Sequence, residues 1–184
     1  MSNKGRKDKV RYKSKQRKQQ QSRAKEEAEA VKEAEIIEGS ADRLKQRITE
    51  MSGNKGHEVV SDERLEKMSD ILLEYAKPFL DTVGPNDKAE YEKSIKISMM
   101  FWNFAIMEEA PEIRKELKKM LKAVMPDAES KSVVNYMLER KRRMYPDNKR
   151  LMMSYELSEL PGGGFYLSVA STLDEATAEM YTEN

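Results

Sequence analysis

The first 25 residues of this 184-residue chain are strongly basic and contain almost nothing that could be buried. Eleven lysines and arginines stand against a single acid, Asp8, which leaves the segment with a net charge of +10. Apart from Val10 and Tyr12 it has no side chain suited to a core, so burial cannot offset the entropy cost of ordering it. We therefore expect residues 1–25 to form a disordered basic arm, at most transiently helical, outside any folded domain.

The sign of the charge reverses in the next segment. Residues 26–38 hold six glutamates and one lysine, a net charge of −5, so the total of +1 for the chain hides opposed blocks. Alanine and glutamate favour helix, so we expect a solvated helix that Gly39 stops, and a short helix from Ser40. A Gly-containing linker follows at 52–56. The predicted parts are a basic arm 1–25, a charged helical segment and linker 26–57, an α+β domain 58–172 and an acidic tail 173–184.

Apolar residues in the first half of the predicted domain recur at three- and four-residue steps, which indicates helix. A first helix should begin at Ser61 or Asp62. Pro78 removes a backbone hydrogen bond, so it should kink this helix or split off its last turn. A second helix is expected over 87–108. Its centre is apolar nearly all round, which is typical of the buried middle of a helical bundle.

Two further helices are expected before the end of the domain. A proline suits the first turn of a helix, so Pro111 should open a third helix over 111–125. Ser130 is expected to cap a fourth helix, which Pro146 ends.

After residue 150 the apolar period changes from about four to two. This alternation predicts a β-hairpin, joined by the glycine-rich turn 161–164, that packs one face on the helices. The residues expected to face the helices are Leu151, Met153, Tyr155, Leu157, Phe165, Leu167 and Val169. The predicted fold class is α+β, with about four helices packed on a two-stranded antiparallel β-hairpin and a flexible or helical basic/acidic N-terminal arm. A lone hairpin has open edges, so we also expect strand pairing in a homodimer or with a partner chain.

Short motifs in residues 60–171 resemble those of a group of small bacterial α+β proteins without an established activity. The motifs are Phe101-Trp102-Asn103, Leu138-Glu139-Arg140-Lys141 and Tyr145-Pro146-Asp147-Asn148-Lys149-Arg150. Some proteins of that group carry a small Cys-rich zinc module before the domain, which a chain without cysteine lacks. The resemblance implies several helices closed by a hairpin, and it supplies no functional residues.

The basic arm is the strongest functional candidate in the sequence. Its density of positive charge would neutralise phosphates and release counterions, which gives salt-sensitive binding to RNA or DNA of any sequence. Tyr12 is its one aromatic residue, so base stacking contributes little. The alternative is a solvated tail that folds back on the glutamate-rich segment 26–38. The candidate anion-binding residues are Lys4, Arg6, Lys7, Lys9, Arg11, Lys13, Lys15, Arg17 and Lys18.

A second basic patch surrounds the end of the fourth predicted helix and is a candidate surface for phosphate or an acidic partner. The helix dipole favours cations in a last turn, but it does not require four in a row. Trp102 and Asn103 lie together in the most apolar helix, where a buried asparagine needs a hydrogen-bond partner or a ligand. The patch consists of Arg140, Lys141, Arg142, Arg143, Lys149 and Arg150.

No catalytic, cofactor or metal-binding motif stands out in the sequence. His57 is the single histidine and lies in the linker, and the lack of cysteine excludes disulfides and Cys-ligated zinc. No apolar run approaches the ~18 residues of a membrane span, and the charged start lacks a secretory signal. The 13 methionines are expected to fill core gaps, with a Met-lined binding groove as the alternative. We expect a cytoplasmic, non-enzymatic accessory protein that binds nucleic acid or a ribonucleoprotein; the alternative is a protein–protein adaptor.

Overall fold

The computed structural model describes residues 4–51, 67–84, 87–124 and 127–173. Within these ranges, five helices precede a two-stranded antiparallel hairpin, so the predicted α+β class is confirmed. The predicted linker, the Ser61 or Asp62 helix start and the acidic tail beyond residue 173 lie outside the described residues. The elements are α1 Lys4–Met51, α2 Met68–Leu80, α3 Lys88–Met107, α4 Pro111–Val124, α5 Ala128–Met144, β1 Met152–Glu159 and β2 Phe165–Ser171.

The core lies between α2, α3, α5 and the inner face of the hairpin. Leu72 and Tyr75 of α2, Ile95 and Trp102 of α3, and Met137 of α5 have no exposed surface. Removing this apolar surface from water is the main source of their stabilising effect. Helix α3 contacts α2, α4, α5 and β1, the central position that its nearly all-round apolar surface predicts.

The residue that caps the start of α5 is not the predicted one. Asp127, rather than Ser130, is the N-cap, since its carboxylate accepts a hydrogen bond from the Ser130 backbone N–H at 2.7 Å. The Ser130 hydroxyl donates to the same carboxylate at 2.6 Å. The hydroxyl side chain is therefore one turn inside the helix, where it supports the cap instead of forming it.

Helix α1 is continuous from Lys4 to Met51. The sequence predicts a flexible or helical arm before residue 26 and a stop at Gly39. The helix includes the arm from Lys4 onward, and it passes through the glycine. A glycine inside a helix costs about 1 kcal/mol relative to alanine. A Cβ at position 39 would lie 3.2 Å from Arg43 Nη1, so the glycine leaves room for that guanidinium. The limits of the four predicted parts of the chain stay predictions.

The last third of α1 packs on the outer face of the hairpin, so helices cover both faces of the sheet. Ser40 and Leu44 are buried at this contact, and Ser40 Oγ lies 3.1 Å from Ser168 Oγ. Ser154 and Ser158 of β1 are also buried. The small side chains allow the helix to approach the sheet closely, but they bury little apolar surface, and so the polar contacts must hold the helix.

Glu156 of β1 holds α1 through two arginines. Its Oε1 accepts a hydrogen bond from Arg43 Nε at 2.9 Å and its Oε2 accepts one from Arg47 Nη2 at 2.8 Å. Arg43 Nη2 also donates to Ser158 Oγ at 2.9 Å, and Arg47 Nη1 donates to the Tyr155 carbonyl at 2.6 Å. Hydrogen bonds between charged groups are the stronger kind. Together they fix the end of α1 on the hairpin.

A β-bulge reverses the predicted facing of the first residues of β1. Met152 pairs with Ser171 and Ser154 with Ala170, so Met153 is an extra residue on one strand. Met152 is therefore buried, whereas Met153 is 48% exposed, the opposite of the predicted alternation. Beyond the bulge the prediction is confirmed for the β1 residues that pack against the core, Tyr155 and Leu157.

Candidate nucleic-acid interface

The predicted basic arm forms the N-terminal part of α1. At 1.5 Å per residue, the stretch from Lys4 to Lys25 is about 33 Å long. Lys15 and every side chain from Lys18 to Glu35 are exposed, except that Glu29 is half-exposed. The helix is therefore solvated from Lys18 to Glu35, and the domain does not cover it there.

The basic and acidic blocks lie end to end on this helix. Lys25 Nζ lies 3.7 Å from Glu29 Oε1, and Ser22 Oγ donates to Glu26 Oε1 at 3.2 Å, both across four residues. On a continuous helix, side chains three or four residues apart are neighbours, whereas more distant blocks cannot lie side by side. Folding the arm back on residues 26–38 would therefore require a break in α1. Since exposed charges are largely screened beyond ~8 Å, the glutamates weaken mainly the nearest turns of the basic block.

Arg140 of the predicted second patch forms hydrogen bonds inside the domain. Pro78 lacks a backbone N–H, so the Glu74 carbonyl four residues earlier has no helical donor. Arg140 Nη2 supplies one at 2.8 Å, and its Nε donates to the Tyr75 carbonyl at 3.2 Å. The guanidinium also lies 3.7 Å from the Glu74 carboxylate and is only 12% exposed. It joins α5 to α2 rather than presenting a charge to solvent.

Lys141 is buried as well, although a lysine in the last turn of a helix is expected to be solvated. Its Nζ donates to the carbonyl oxygens of Tyr145 and Asn148, both at 2.7 Å. The same nitrogen lies 4.8 Å from the centroid of the Trp102 ring. These contacts fix the turn between α5 and β1 against α3.

We expect the free energy of unfolding to rise by about 2 kcal/mol between pH 7 and about pH 9.5 through Lys141. Burial, assisted by the charge of Lys149, lowers the pKa of Lys141 from its usual 10.5 to about 8, and Glu109 and Asp147 oppose the shift. In this pH window the unfolded chain binds more protons than the folded chain, so stability increases as the pH rises. Denaturant unfolding at a series of pH values measures the slope.

Lys141→Met is the control for this pH dependence, because methionine keeps an unbranched side chain and does not titrate. The rise should disappear in the variant, and a rise that persists would belong to another group. Measurements should stop near pH 9.5. Burial and the hydrogen bond to Glu92 raise the pKa of Tyr155 in the folded state. At higher pH the unfolded chain therefore loses this proton first, and the free energy of unfolding falls as the pH rises.

Arg142 and Lys149 are paired with the acidic end of α3. Lys149 Nζ donates to both carboxylate oxygens of Glu109 at 2.6 Å. Arg142 bonds to the Glu108 carboxylate, and its other terminal nitrogen lies 3.3 Å from Glu139. Both cations are about half exposed, so a phosphate would have to compete with carboxylates already in place.

The last two members of the patch have different surroundings. Arg143 is exposed and makes no ion pair with any described residue. Arg150 Nε donates to the Thr172 carbonyl at 3.2 Å. Arg140, Lys141 and Arg150 thus make contacts within the chain, and anion binding by the patch stays a prediction.

Trp102 and Asn103 join α3 to the start of β1. Trp102 Nε1 donates to the Arg150 carbonyl at 2.9 Å. Asn103 Nδ2 donates to the Met152 carbonyl, and Asn103 Oδ1 accepts from the Met152 N–H, both at 2.8 Å. The asparagine pairs with the strand backbone as a neighbouring strand would. Its partners are therefore within the chain, which explains a polar residue at this position without a ligand.

The methionines are divided between the core and the surface. Met68, Met137 and Met152 are buried, as expected for residues that fill core gaps. The exposed ones lie on four different elements, and a methionine-lined groove stays a prediction. The exposed methionines are Met51, Met100, Met120 and Met153.

A cleft of about 280 Å³ lies between the end of α2 and the start of α3. Its charged residues are already engaged: Asp87 caps α3 by accepting from the Glu90 N–H at 3.1 Å, and Lys93 Nζ donates to the Glu90 carboxylate at 3.2 Å. Phe79 contributes an apolar wall. Among the described lining residues, the charged side chains are thus engaged with one another or with the backbone.

No protein-family model, curated protein or solved structure matches this chain. Across the described ranges, no helix is long and apolar enough to cross a membrane. The same ranges contain no group of three or more histidine, aspartate or glutamate side chains that could hold a metal ion. Charge distribution and the geometry of α1 are therefore the main guides to function.

Proposed function

We propose that this protein binds the phosphate backbone of RNA or DNA, free or within a ribonucleoprotein, through the basic part of α1. The layout of α1 carries the proposal: from Lys4 onward the +10 block lies on one continuous helix, end to end with the acidic block, and Lys15, Lys18, Arg23 and Lys25 are exposed. Eleven cations within about 33 Å provide the charge density that releases counterions from nucleic acid. The acidic block can compete for these cations only near the junction, because the helix holds the two apart.

The α+β domain acts as the base that holds this helix. Glu156 and its two arginine partners fix the last third of α1, and the helix from Lys18 to Lys25 is exposed to solvent. With Tyr12 as the one aromatic residue of the arm, affinity should come from charge rather than from base stacking. Binding should therefore be steeply salt-dependent and nearly independent of base sequence.

Neutralising part of the arm tests this function. In the arm variant, glutamine replaces the first six cations, Lys4, Arg6, Lys7, Lys9, Arg11 and Lys13. Glutamine has a helix propensity close to that of lysine and arginine, so α1 should persist. Fluorescence anisotropy with a labelled duplex should show at least ~100-fold weaker binding at ~0.15 M salt. The slope of log K against log salt should become shallower by up to about 5, since each lost phosphate contact removes ~0.9.

A domain variant with the same change in net charge is the matched control. It replaces six exposed cations of the domain, including the outer members of the second patch, with glutamine. Its affinity and salt slope should stay close to those of the unmodified chain. If the domain variant loses binding and the arm variant does not, the interface is on the patch, and if neither changes, the proposal is rejected. The control positions are Lys67, Lys119, Lys131, Arg142, Arg143 and Lys149.

A protein–protein adaptor is the second candidate, and the open edges of the hairpin favour it. The Leu160 N–H donates a hydrogen bond to the Gly164 carbonyl, and in an antiparallel ladder hydrogen-bonded pairs alternate with pairs that are not hydrogen-bonded. Leu157 and Leu167 form a pair of the second kind, so their backbone N–H and C=O groups point away from the partner strand. Among the described residues, no hydrogen bond reaches these outward groups of Leu157 and Leu167. An edge of this kind can accept a strand from a second copy or another chain. Sedimentation velocity that finds only monomer would argue against pairing between copies.

A further inference from the structure

We infer that the acidic block of α1, residues 26–38, confines a bound duplex to the basic block and holds the α+β domain away from it. The inference rests on the proposed function, because it concerns which nucleic acid the basic block takes and how much of it. It is drawn from the order of three segments along one continuous helix. The basic block comes first, the acidic block second, and the segment that packs on the hairpin third.

The acidic block has the length and exposure of an electrostatic spacer. Its 13 residues span about 20 Å of helix, which exceeds the ~8 Å screening length at physiological salt. Five of its six glutamates are exposed and Glu29 is half-exposed. Phosphates placed along this stretch would be repelled, whereas those along the first 20 residues would not be affected. The contact with nucleic acid should therefore end near Lys25.

A duplex fits the basic block better than a single strand. A double helix carries one phosphate charge per ~1.7 Å of axis, so a helix about 33 Å long lies beside roughly ten base pairs. Single strands are usually held by aromatic side chains that stack on the bases, and the basic block has only Tyr12. The basic block would thus recognise the paired phosphate backbones of a duplex, which DNA and RNA both provide.

The spacer also explains why the domain need not be basic. Because about 20 Å of acidic helix separates it from the duplex, cations on the domain lie beyond the screening length. Arg142 and Lys149 can then remain paired with Glu108 and Glu109 without weakening nucleic-acid binding. The domain thus remains available for a separate contact.

The test neutralises the spacer in the full-length chain. A spacer variant carries Glu26→Gln, Glu27→Gln, Glu29→Gln, Glu33→Gln, Glu35→Gln and Glu38→Gln. Affinity is measured for duplexes of increasing length. Each affinity is corrected for the number of overlapping positions at which one chain can bind the duplex. For the unmodified chain the affinity should stop increasing at about 10 base pairs, and for the spacer variant at about 15, since 3.4 Å per base pair then covers both blocks. The spacer variant should also bind the longer duplexes at least ~10-fold more tightly at ~0.1 M salt.

A remote-charge variant is the matched control, with six exposed glutamates elsewhere replaced by glutamine. It gains the same net charge, and its affinity should still stop increasing at about 10 base pairs. If it matches the spacer variant, or if both keep the unmodified length dependence, the spacer inference is wrong. Circular dichroism of each variant checks that helix content is unchanged. The control positions are Glu50, Glu90, Glu112, Glu116, Glu129 and Glu139.

Three ligands separate this inference from the proposed function. DNA and RNA duplexes should bind with similar salt slopes, and a single strand of equal length should bind at least ~10-fold more weakly. Single-strand binding as tight as duplex binding would overturn the duplex preference while leaving the proposed function intact. Failure of the unmodified chain to bind any of the three would instead reject the proposed function.

Discussion

Replacing Trp102 with alanine is expected to lower the free energy of unfolding by about 3–5 kcal/mol. The indole has no exposed surface and meets the Tyr75 ring edge-on, with a centroid distance of 5.4 Å. It also packs on the Tyr145 ring at 5.3 Å and lies under the Lys141 ammonium. Alanine would leave a cavity among these groups and would deprive the Arg150 carbonyl of its N–H donor.

Urea unfolding followed by far-UV circular dichroism measures this effect without relying on tryptophan fluorescence. Trp102→Phe is the informative companion, because it keeps an aromatic ring in the core and removes the N–H. Its expected cost is about 1–3 kcal/mol, the penalty for leaving one buried acceptor unpaired. Met120→Ala, at a side chain that is 64% exposed, should change stability by less than about 0.5 kcal/mol. If Trp102→Ala lowers the free energy of unfolding by no more than about 0.5 kcal/mol, the indole is not a main contributor to the stability of the core.

Replacing Glu156 with alanine is expected to cost about 2–3 kcal/mol and to loosen α1 from the hairpin. The carboxylate accepts hydrogen bonds from both Arg43 and Arg47, and Leu44 is the one buried apolar side chain among those that the structure describes on α1. The arginines are about half exposed and can be solvated after the change, which keeps the loss from being larger. Hydrogen exchange should accelerate in residues 36–48 and stay unchanged in α3.

A double-mutant cycle separates the Glu156 contacts from general loosening. Arg43→Ala and Arg47→Ala are each combined with Glu156→Ala, and contacting residues usually show a coupling of 0.5–3 kcal/mol. A coupling near zero for both pairs would mean that α1 is held by other contacts. Glu156→Gln should be intermediate, since the amide keeps one acceptor oxygen and loses the charge.

The elements that the sequence predicts well are those whose apolar pattern is local. Helix α3 was expected over 87–108 and spans Lys88–Met107, and α4 was expected over 111–125 and spans Pro111–Val124. Their start signals, the N-cap Asp87 and the first-turn Pro111, lie within the same stretch of chain, so they need no distant partner. The change to a period of two likewise predicts the hairpin from a short stretch of chain.

Predictions that depend on distant partners were less successful. The extra residue in β1 is invisible to a strict alternation, so Met152 and Met153 were assigned to the wrong faces. Continuity of α1 through Gly39 depends on docking that joins residues 113 apart, as in the Arg43–Glu156 pair. Arginine and lysine look solvated in any periodicity analysis, so nothing in the pattern distinguishes the buried Lys141 from the exposed Arg143.

By itself the sequence determined the α+β class, the approximate extents of α3, α4 and the hairpin, and the separation of charge into a +10 and a −5 block. These are properties of short windows, in which composition and spacing are sufficient. Only the tertiary structure decided that the two charge blocks lie along one helix, that Glu156 anchors that helix, and that Arg140 and Lys141 serve the interior. The reason is physical: a charged side chain becomes a structural contact only when distant carbonyls and carboxylates are brought to it, and that placement is a result of packing.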